Sequence, residues 1–254
     1  MEDRAYDVRV NSTGASGTDL RGLIVDWGGV LTASLDGAMA AWAQRDAVRY
    51  EHFREVMHAW ALRPAGVGVA VHDVPDDEPV AEMEQAPDEG PAGGSPAHLL
   101  ERGELTGPEF ERELAGELAR RGSVVPAEGL LARMLAGLRS LDDDMIGLVR
   151  RAREHGIRTA LLSNSWGDHY PEELWDDLFD AVVISGRIGM RKPEPEIFLH
   201  TCTQLDLPPG RCVMVDDLPH NVTGAVAVGM VAVHHRTYAE TVTELEALFD
   251  VPLR

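Results

Sequence analysis

The stretch LIVDWGGVLT, residues 23–32, decides the fold. Its first three residues, Leu23-Ile24-Val25, form a short continuous apolar run that ends at Asp26 and a Gly28-Gly29 pair. This pattern is typical of a strand that is buried on both faces of a parallel sheet and followed by a turn. We therefore expect a strand at 22–26 with Asp26 at its carboxyl end.

Strand and helix patterns alternate along the second half of the chain. Short apolar runs predict strands near 158–162, 181–184, 212–215 and 230–233. The segments between them predict helices around 171–178, 194–206, 218–228 and 240–249. This alternation predicts an α/β fold with a doubly wound parallel sheet, to which the strand at 22–26 belongs.

The first half of the chain adds an insertion to this core. Residues 1–20 predict a flexible tail, and the core comprises 21–35 and 140–254. Residues 36–139 carry helical patterns, which begin with a helical stretch from about 37 to 62, and predict an inserted helical cap. Within the cap, the stretch 64–97 is acidic and rich in proline and glycine. Because such a segment buries little apolar area, we expect it to be a flexible loop.

The composition excludes several classes of function. The chain has 254 residues and a formal net charge of −20, which disfavours a nucleic-acid partner because phosphate binding requires clustered cations. No apolar run approaches the roughly 18 residues that cross a bilayer, so we expect no membrane association. The first twenty residues contain no apolar leader, which predicts a cytoplasmic protein. Only two cysteines occur, too few for a disulfide framework.

Polar residues follow the predicted strands where those strands end. They are Asp26, Ser163-Asn164, Arg191-Lys192 and Asp216-Asp217. Lys192 is the single lysine of a chain that otherwise uses 22 arginines. Because the carboxyl ends of parallel strands share one edge of the sheet, these groups are expected around one crevice. Two carboxylates can hold Mg²⁺, a hydroxyl and an ammonium can bind phosphate oxygens, and one Asp can attack phosphorus.

Four segments in order carry a resemblance to a known family. They are LIVDWGGVLT (23–32), LLSNS (161–165), GMRKPEPEIF (189–198) and VMVDDLPHNVTGA (213–225). They resemble the four motifs of the haloacid dehalogenase superfamily, and the closest likeness is to the subgroup with a helical cap between motifs I and II. That subgroup includes the N-terminal phosphatase domain of soluble epoxide hydrolase, and ERGELTGPEF (101–110) resembles its cap.

The resemblance implies a role for each matching residue. It makes Asp26 the nucleophile, and it makes Ser163 and Lys192 the groups that bind the phosphate. Asn164 would help to orient the phosphoryl group. The implied cofactor is Mg²⁺, held by Asp26, the backbone carbonyl of Gly28, and Asp217 with Asp216 beside it. Asn221 fits a downstream polar position of the fourth motif.

One position departs from the family pattern. Phosphatases of this family carry a second Asp two residues after the nucleophile, as the acid/base group, and this chain has Gly28 there. The cap residues that could substitute are Asp36, His52, His58 and His98. Gly28 could also have a backbone conformation that a Cβ disfavours, so an introduced Asp would be strained.

The sequence therefore predicts a Mg²⁺-dependent hydrolase that removes phosphate from a small phosphorylated metabolite through an aspartyl-phosphate at Asp26. The absence of the second Asp predicts impaired acid/base catalysis. The main alternative is a catalytically degenerate member that binds a phosphorylated ligand or a protein partner. A 2-haloacid dehalogenase is less consistent with the sequence, because those enzymes need no metal and lack the carboxylate pair Asp216-Asp217.

Overall fold

The computed structural model describes residues 19–61, 94–167 and 170–254. Within them, five strands form one parallel sheet in the order β3-β2-β1-β4-β5. The strands are β1 (Gly22–Val25), β2 (Arg158–Ser163), β3 (Ala181–Ile184), β4 (Cys212–Asp216) and β5 (Val231–His234). The predicted α/β fold with a parallel sheet is confirmed, and each strand lies within a residue or two of its predicted position.

The register of the sheet brings three strand ends level with one another. Val25 pairs with Leu161 of β2 on one side and with Val215 of β4 on the other. Asp26, Ser163 and Asp216 therefore leave the sheet at the same edge. The chain adds β2 and β3 on one side of β1 and then β4 and β5 on its other side, so the strand order reverses between β1 and β4. Crevices at such reversals are where open α/β sheets bind ligands.

The central strand is apolar on both faces because helices cover both sides of the sheet. Leu23 and Val25 belong to one hydrophobic cluster, whereas Ile24 belongs to the cluster on the other face. Successive strand residues point to opposite faces, so a continuous apolar run is what this position requires. The helices of the core are α6 (Asp143–Glu154), α7 (Trp175–Leu178), α8 (Ser185–Ile188), α9 (Pro195–Gln204), α10 (Pro219–Ala227) and α11 (Tyr238–Phe249).

A second group of helices is inserted between β1 and β2 and has a hydrophobic cluster of its own. These inserted helices are α1 (Leu35–Arg45), α2 (Tyr50–Ala61), α3 (Pro96–Glu101), α4 (Gly107–Arg120) and α5 (Leu130–Leu135), which a 3₁₀ turn continues (Ala136–Arg139). The Glu109 carboxylate accepts the Thr106 backbone N–H at 2.9 Å, which forms the capping box that begins α4.

The structure differs from the sequence-based prediction at the start of the insertion. The predicted helical stretch at 37–62 is two helices, because α1 ends at Arg45 and Ala47 has a φ of 56°. The Asp46 carboxylate accepts hydrogen bonds from Trp42 Nε1 at 3.0 Å and from Arg133 Nε at 2.7 Å. These contacts with α1 and α5 fix the turn, and neither a glycine nor a proline marks it in the sequence.

The predicted loop at 64–97 also ends earlier than expected, since Pro96 already lies in α3. The rest of that loop, residues 64–93, lies outside the described residues, as do residues 1–18 of the predicted tail. Among the helices of the described ranges, none is both long enough and apolar enough to span a bilayer.

Candidate active site

A buried lysine joins two aspartates where β1 and β4 end. Lys192 Nζ lies 2.8 Å from Asp26 Oδ1 and 2.6 Å from Asp216 Oδ2. The lysine side chain is 1% exposed, and those of the two aspartates are 9% and 0% exposed. Because a charge buried this deeply is costly without partners, the ammonium and the two carboxylates stabilise one another.

Asp216 uses both of its carboxylate oxygens within the protein. Oδ2 accepts the hydrogen bond from Lys192, and Oδ1 accepts from the Leu218 backbone N–H at 2.9 Å and from Asn221 Nδ2 at 3.0 Å. These contacts hold the lysine in place and fix the turn between β4 and α10. Both carboxylate oxygens of Asp216 therefore accept hydrogen bonds from the protein, and this arrangement orients Lys192.

Asp217 lies on the other side of the turn, against the backbone of Gly29. A Cβ at position 29 would lie 2.2 Å from Asp217 Oδ2, and Gly29 has a φ of 78°. His234 Nε2 lies 3.0 Å from the Asp217 backbone oxygen and braces this residue from β5. Both the close approach and the left-handed backbone require glycine at position 29.

The three carboxylates form a candidate site for a divalent cation. One oxygen from each of Asp26, Asp216 and Asp217 lies within 4.8 Å of the others. Oxygen ligands of this kind are those that Mg²⁺ takes in proteins, usually through one or two carboxylates. Because Asp216 is fully engaged, Asp26 and Asp217 are the carboxylates that fit as direct ligands.

Burial dominates the electrostatics of this cluster. It raises the pKa of Asp26 to about 7, against the opposing effect of the Lys192 ammonium and with a further increase from Asp216. It also raises the pKa of Asp217 to about 6, with Asp216 adding to the shift. The pKa of Lys192 is raised because the adjacent Asp216 and Asp26 carboxylates outweigh the effect of burial. A cation between Asp26 and Asp217 would favour their ionised forms.

The hydroxyl of Ser163 meets a residue that sequence reasoning missed. Ser163 Oγ lies 2.9 Å from Tyr170 Oη, and the Tyr170 ring packs edge-on against Trp27 at a centroid distance of 5.6 Å. Tyr170 follows Ser163 by seven residues in a loop. Only the folded chain brings the two hydroxyls together, so the sequence contains no signal for this pair.

Asn164 contacts the main chain of Lys192. Its Nδ2 donates to the Lys192 carbonyl at 3.0 Å, and its Oδ1 accepts the Lys192 N–H at 2.8 Å. The two bonds tie the end of β2 to the segment that carries the lysine. Both polar atoms of the amide are therefore occupied in positioning Lys192.

Glu101 links the inserted helices to the core at one side of the site. Its carboxylate accepts from Arg191 Nε at 2.5 Å and from Trp166 Nε1 at 3.0 Å, and its backbone oxygen accepts from Ser185 Oγ at 2.5 Å. The Glu101 and Arg191 side chains are 12% and 11% exposed. Glu101 lies at the end of an acidic stretch in the sequence, and nothing there distinguishes it from its neighbours.

Gly28 is open, in contrast to Gly29. A Cβ at Gly28 would meet no atom within 4 Å, and its φ lies outside the left-handed region. The expectation that an introduced Asp would be strained at this position is therefore wrong. Position 28 borders the cavity above Asp26 and has room for a side chain.

The structure separates the four residues that were expected as substitutes for the missing Asp. Asp36 and His98 border the cavity. His52 Nδ1 lies 2.9 Å from Ser123 Oγ, within the inserted helices, and His58 is on an exposed face of α2. Asp36 accepts a hydrogen bond from the Tyr50 hydroxyl. Only Asp36 and His98 thus face the same space as Asp26.

A cavity of about 550 Å³ lies between the sheet edge and the inserted helices. We call the charged cluster at its sheet edge the polar floor, in which Asp26, Ser163, Lys192 and Asp217 border the cavity and the fully buried Asp216 contacts Lys192 from behind them. We call its opposite side the apolar roof, which comprises Leu35, Met39, Phe53, Met57, Leu135 and Leu138. Volumes of this size are typical of small-molecule sites.

Relatives of known activity include phosphatases. A sesquiterpene phosphatase of Aspergillus oryzae is 31% identical over 154 residues, which cover 59% of this chain and 76% of that protein. Bifunctional epoxide hydrolase 2 of Rattus norvegicus is 29% identical over 42% of this chain and 21% of its own length. N-acylneuraminate-9-phosphatase of the same species is 33% identical over 37% of this chain and 39% of its own length. The chain thus spans well under half of the latter two proteins.

The fold and the family follow from two further comparisons. A crystal structure of a haloacid dehalogenase family enzyme from Bacteroides thetaiotaomicron, in complex with magnesium and inorganic phosphate, matches with a TM-score of 0.56 and 17% identity. The match covers 85% of this chain and 94% of that one. The sequence profile of the haloacid dehalogenase-like hydrolases matches residues 20–229. The chain belongs to the haloacid dehalogenase-like hydrolase family.

Proposed function

We propose that the protein is a Mg²⁺-dependent phosphatase that acts on a small phosphorylated molecule through an aspartyl-phosphate at Asp26. The observation that carries the proposal is the juxtaposition of a carboxylate, a buried ammonium and a second carboxylate. Asp26 lies 2.8 Å from Lys192, and its carboxylate is within 4.8 Å of that of Asp217. We further propose that residues 36–139 are the cap over a core of 21–35 and 140–254.

The contacts of Asp26 Oδ1 support different tasks for the two oxygens of its carboxylate. Oδ1 accepts the Trp27 N–H at 2.7 Å and the Lys192 ammonium at 2.8 Å. The carboxylate is thereby fixed, and Oδ2 is the oxygen available to bond to phosphorus. Attack by Oδ2 forms the Asp26 O–P bond and breaks the bond from phosphorus to the ester oxygen, which leaves as the alcohol after it takes a proton. Water then attacks the same phosphorus, loses a proton, and releases inorganic phosphate and the free carboxylate.

Mg²⁺ would be held by the Asp26 and Asp217 carboxylates and the Gly28 carbonyl, and it would offset the repulsion between Asp26 and the phosphate oxygens. The chain supplies the remaining charge compensation. Lys192 would bind a phosphate oxygen, and Ser163 would donate its hydroxyl to another, with Tyr170 orienting it. Asn164 would act by holding the Lys192 backbone.

Gly28 limits what this arrangement achieves. A carboxyl group at position 28 would protonate the leaving alcohol and then deprotonate the attacking water. General acid–base help of this kind is typically worth about 10²–10⁴-fold. We therefore expect turnover to be slow on alcohols that leave poorly and faster on phosphates with acidic leaving groups.

The names of the relatives support the phosphate ester as the substrate class. A sesquiterpene phosphatase and an N-acylneuraminate-9-phosphatase are both phosphatases by name. The carboxylate pair Asp216-Asp217 also favours a metal-dependent reaction over metal-independent dehalogenation.

Gly28 favours a second candidate function, the binding of a phosphorylated ligand without turnover. The floor would then hold the phosphate, and the missing acid/base group would leave it intact. The two candidate functions use the same contacts with the phosphate and differ only in whether the phosphate ester is hydrolysed.

The experiment that tests the proposal is a phosphate-release assay with and without Mg²⁺ on a panel of phosphate esters, together with the acyl phosphate acetyl phosphate. We expect release that requires Mg²⁺ and is lost in Asp26→Asn, whereas Asp177→Asn, the same change on an exposed residue of α7, retains it. Release that survives Asp26→Asn would contradict the proposal. A panel without release, combined with calorimetric binding of a phosphate ester, would support the binding function instead.

A further inference from the structure

The apolar roof is built from three helices that each contribute a pair of side chains one turn apart. The pairs are Leu35 and Met39 on α1, Phe53 and Met57 on α2, and Leu135 and Leu138 at the end of α5 and in the following 3₁₀ turn. Residues three or four apart lie on the same face of a helix. The three helices therefore direct their apolar faces toward one space above Asp26.

Among the polar side chains of the inserted helices that border the cavity, Ser34, Asp36 and Tyr50 have hydrogen bonds within these helices, whereas Ser95 Oγ is buried without a partner among the described residues and His98 also borders the cavity. Ser34 Oγ accepts the Gly37 N–H at 3.2 Å as the cap of α1, and Asp36 accepts from the Tyr50 hydroxyl. Arg54 and Arg139 also border the cavity, and both residues are exposed. The six roof residues themselves offer no hydrogen-bonding side chain to the hydroxyl groups of a polyhydroxylated substrate. Each hydroxyl buried there without a hydrogen bond would be unfavourable.

The floor and the roof together define one substrate. The floor offers an ammonium and a hydroxyl to a phosphate, and the roof offers hydrocarbon to whatever the phosphate is attached to. We propose that the substrate is a phosphate monoester of a largely apolar alcohol, with its hydrocarbon part in contact with the roof. This inference rests on the proposed function for the phosphate end and on the lining of the roof for the alcohol.

The test is a binding experiment that does not depend on turnover. Straight-chain alkylphosphonates cannot be hydrolysed as esters, and their affinity for the full chain in Mg²⁺ can be measured by calorimetry. We expect the affinity to rise about fourfold for each added methylene until the roof is covered, and then to level off. A polyhydroxylated phosphonate of the same length as a tightly bound alkylphosphonate should bind at least about 100-fold more weakly.

A variant pair locates the effect at the roof. Met57→Gln replaces a partly buried roof residue by a polar side chain of similar shape and should lower the affinity for a long alkylphosphonate about tenfold. Leu105→Gln is the matched control, because Leu105 packs against the same hydrophobic cluster but does not border the cavity. That control should bind like the unmodified chain.

Two results would overturn the inference. One is an affinity that does not change with chain length, and the other is tighter binding of the polyhydroxylated compound. Neither result would affect the phosphatase proposal, which depends on Mg²⁺-dependent phosphate release and its loss in Asp26→Asn. Conversely, alkylphosphonate binding that follows chain length, together with no phosphate release from the corresponding alkyl phosphates, would retain the ligand class and contradict the catalytic proposal.

Discussion

The polar floor and the apolar roof of the cavity differ in how many hydrogen bonds and ion pairs fix the positions of their side chains. On the polar floor, Lys192 and Asp216 are almost fully buried, and their polar atoms have partners at 2.6–3.0 Å. The apolar roof has no such directional contacts, since its members interact through contact area alone. A change on the floor therefore leaves a charge unpaired, whereas a change on the roof alters shape and polarity. We infer that the floor determines the reaction and the roof determines which substrate undergoes it.

The largest expected effect is a loss of stability in a variant that removes the positive charge of the floor. Lys192→Met removes the cation between Asp26 and Asp216 and leaves two buried carboxylates, which typically costs about 3–5 kcal/mol of unfolding free energy. Urea unfolding in the absence of divalent cations measures this loss. Arg153→Met, which breaks a partly exposed pair with Asp180, should cost about 1 kcal/mol or less.

A double variant distinguishes charge pairing from lost packing. Asp216→Asn added to Lys192→Met removes the matching carboxylate charge and should recover part of the lost stability. If the double variant is as unstable as the sum of the two single variants, the pairing described for the floor is not what stabilises it.

The next largest effect is expected from a variant that adds a carboxyl group to the floor. Gly28→Asp restores the acid/base group at an open position and should raise phosphate release about 10²-fold. Gly28→Ala, which adds the Cβ without the carboxyl group, should give no such increase. Unchanged release by Gly28→Asp, in a protein that is folded and binds Mg²⁺, would show that Gly28 does not limit turnover.

A smaller effect is expected from the glycine that borders Asp217. Gly29→Ala places a Cβ against the Asp217 carboxylate and in a left-handed backbone, so it should weaken Mg²⁺ binding at least about tenfold. Gly116→Ala is the control, because its Cβ would meet nothing within 4 Å in α4. Equal Mg²⁺ affinities of the two variants in calorimetry would exclude Asp217 as a ligand.

The smallest effect concerns the pH dependence of the floor. Asp26 and Asp217 have pKa values raised to about 7 and about 6, mainly because they are buried, so protons compete with a cation below these values. Mg²⁺ affinity should therefore increase about fourfold from roughly pH 6.5 to pH 7.5, with proton release on binding. Calorimetry in two buffers of different ionisation enthalpy counts those protons. A pH-independent affinity without proton release would contradict the raised pKa values.

The sequence predicts the floor better than the roof for a physical reason. Asp26, Ser163 and Asp216 lie at the ends of apolar strands, and the parallel register brings strand ends together whatever the details of packing. Lys192 follows β3 only after the short helix α8, and its hydrogen bonds with Asn164 bring it to the same edge. Tyr170 and Glu101 could not be found in this way, because their roles arise from contacts between loops and helices that are distant in sequence.

The insertion shows the same limit. The break between α1 and α2 depends on Asp46 meeting Trp42 and Arg133, and Ala47 adopts a left-handed backbone without a glycine to indicate it. The short helix α3 begins within the last two residues of the proline-rich acidic stretch that predicts a loop, and its Glu101 is held by Arg191 of the core. Tertiary contacts rather than local pattern decide both features, and with them the shape of the cavity.

A crystal structure of the protein with Mg²⁺ and trifluoroberyllate, a mimic of a phosphoryl group bound to a carboxylate, tests the central claim most directly. We predict the adduct on Asp26 Oδ2, the cation in contact with Asp26 and Asp217, and Lys192 and Ser163 in contact with the fluorine atoms. A cation bound elsewhere, together with no adduct at Asp26, would contradict the assignment of the polar floor as the catalytic centre.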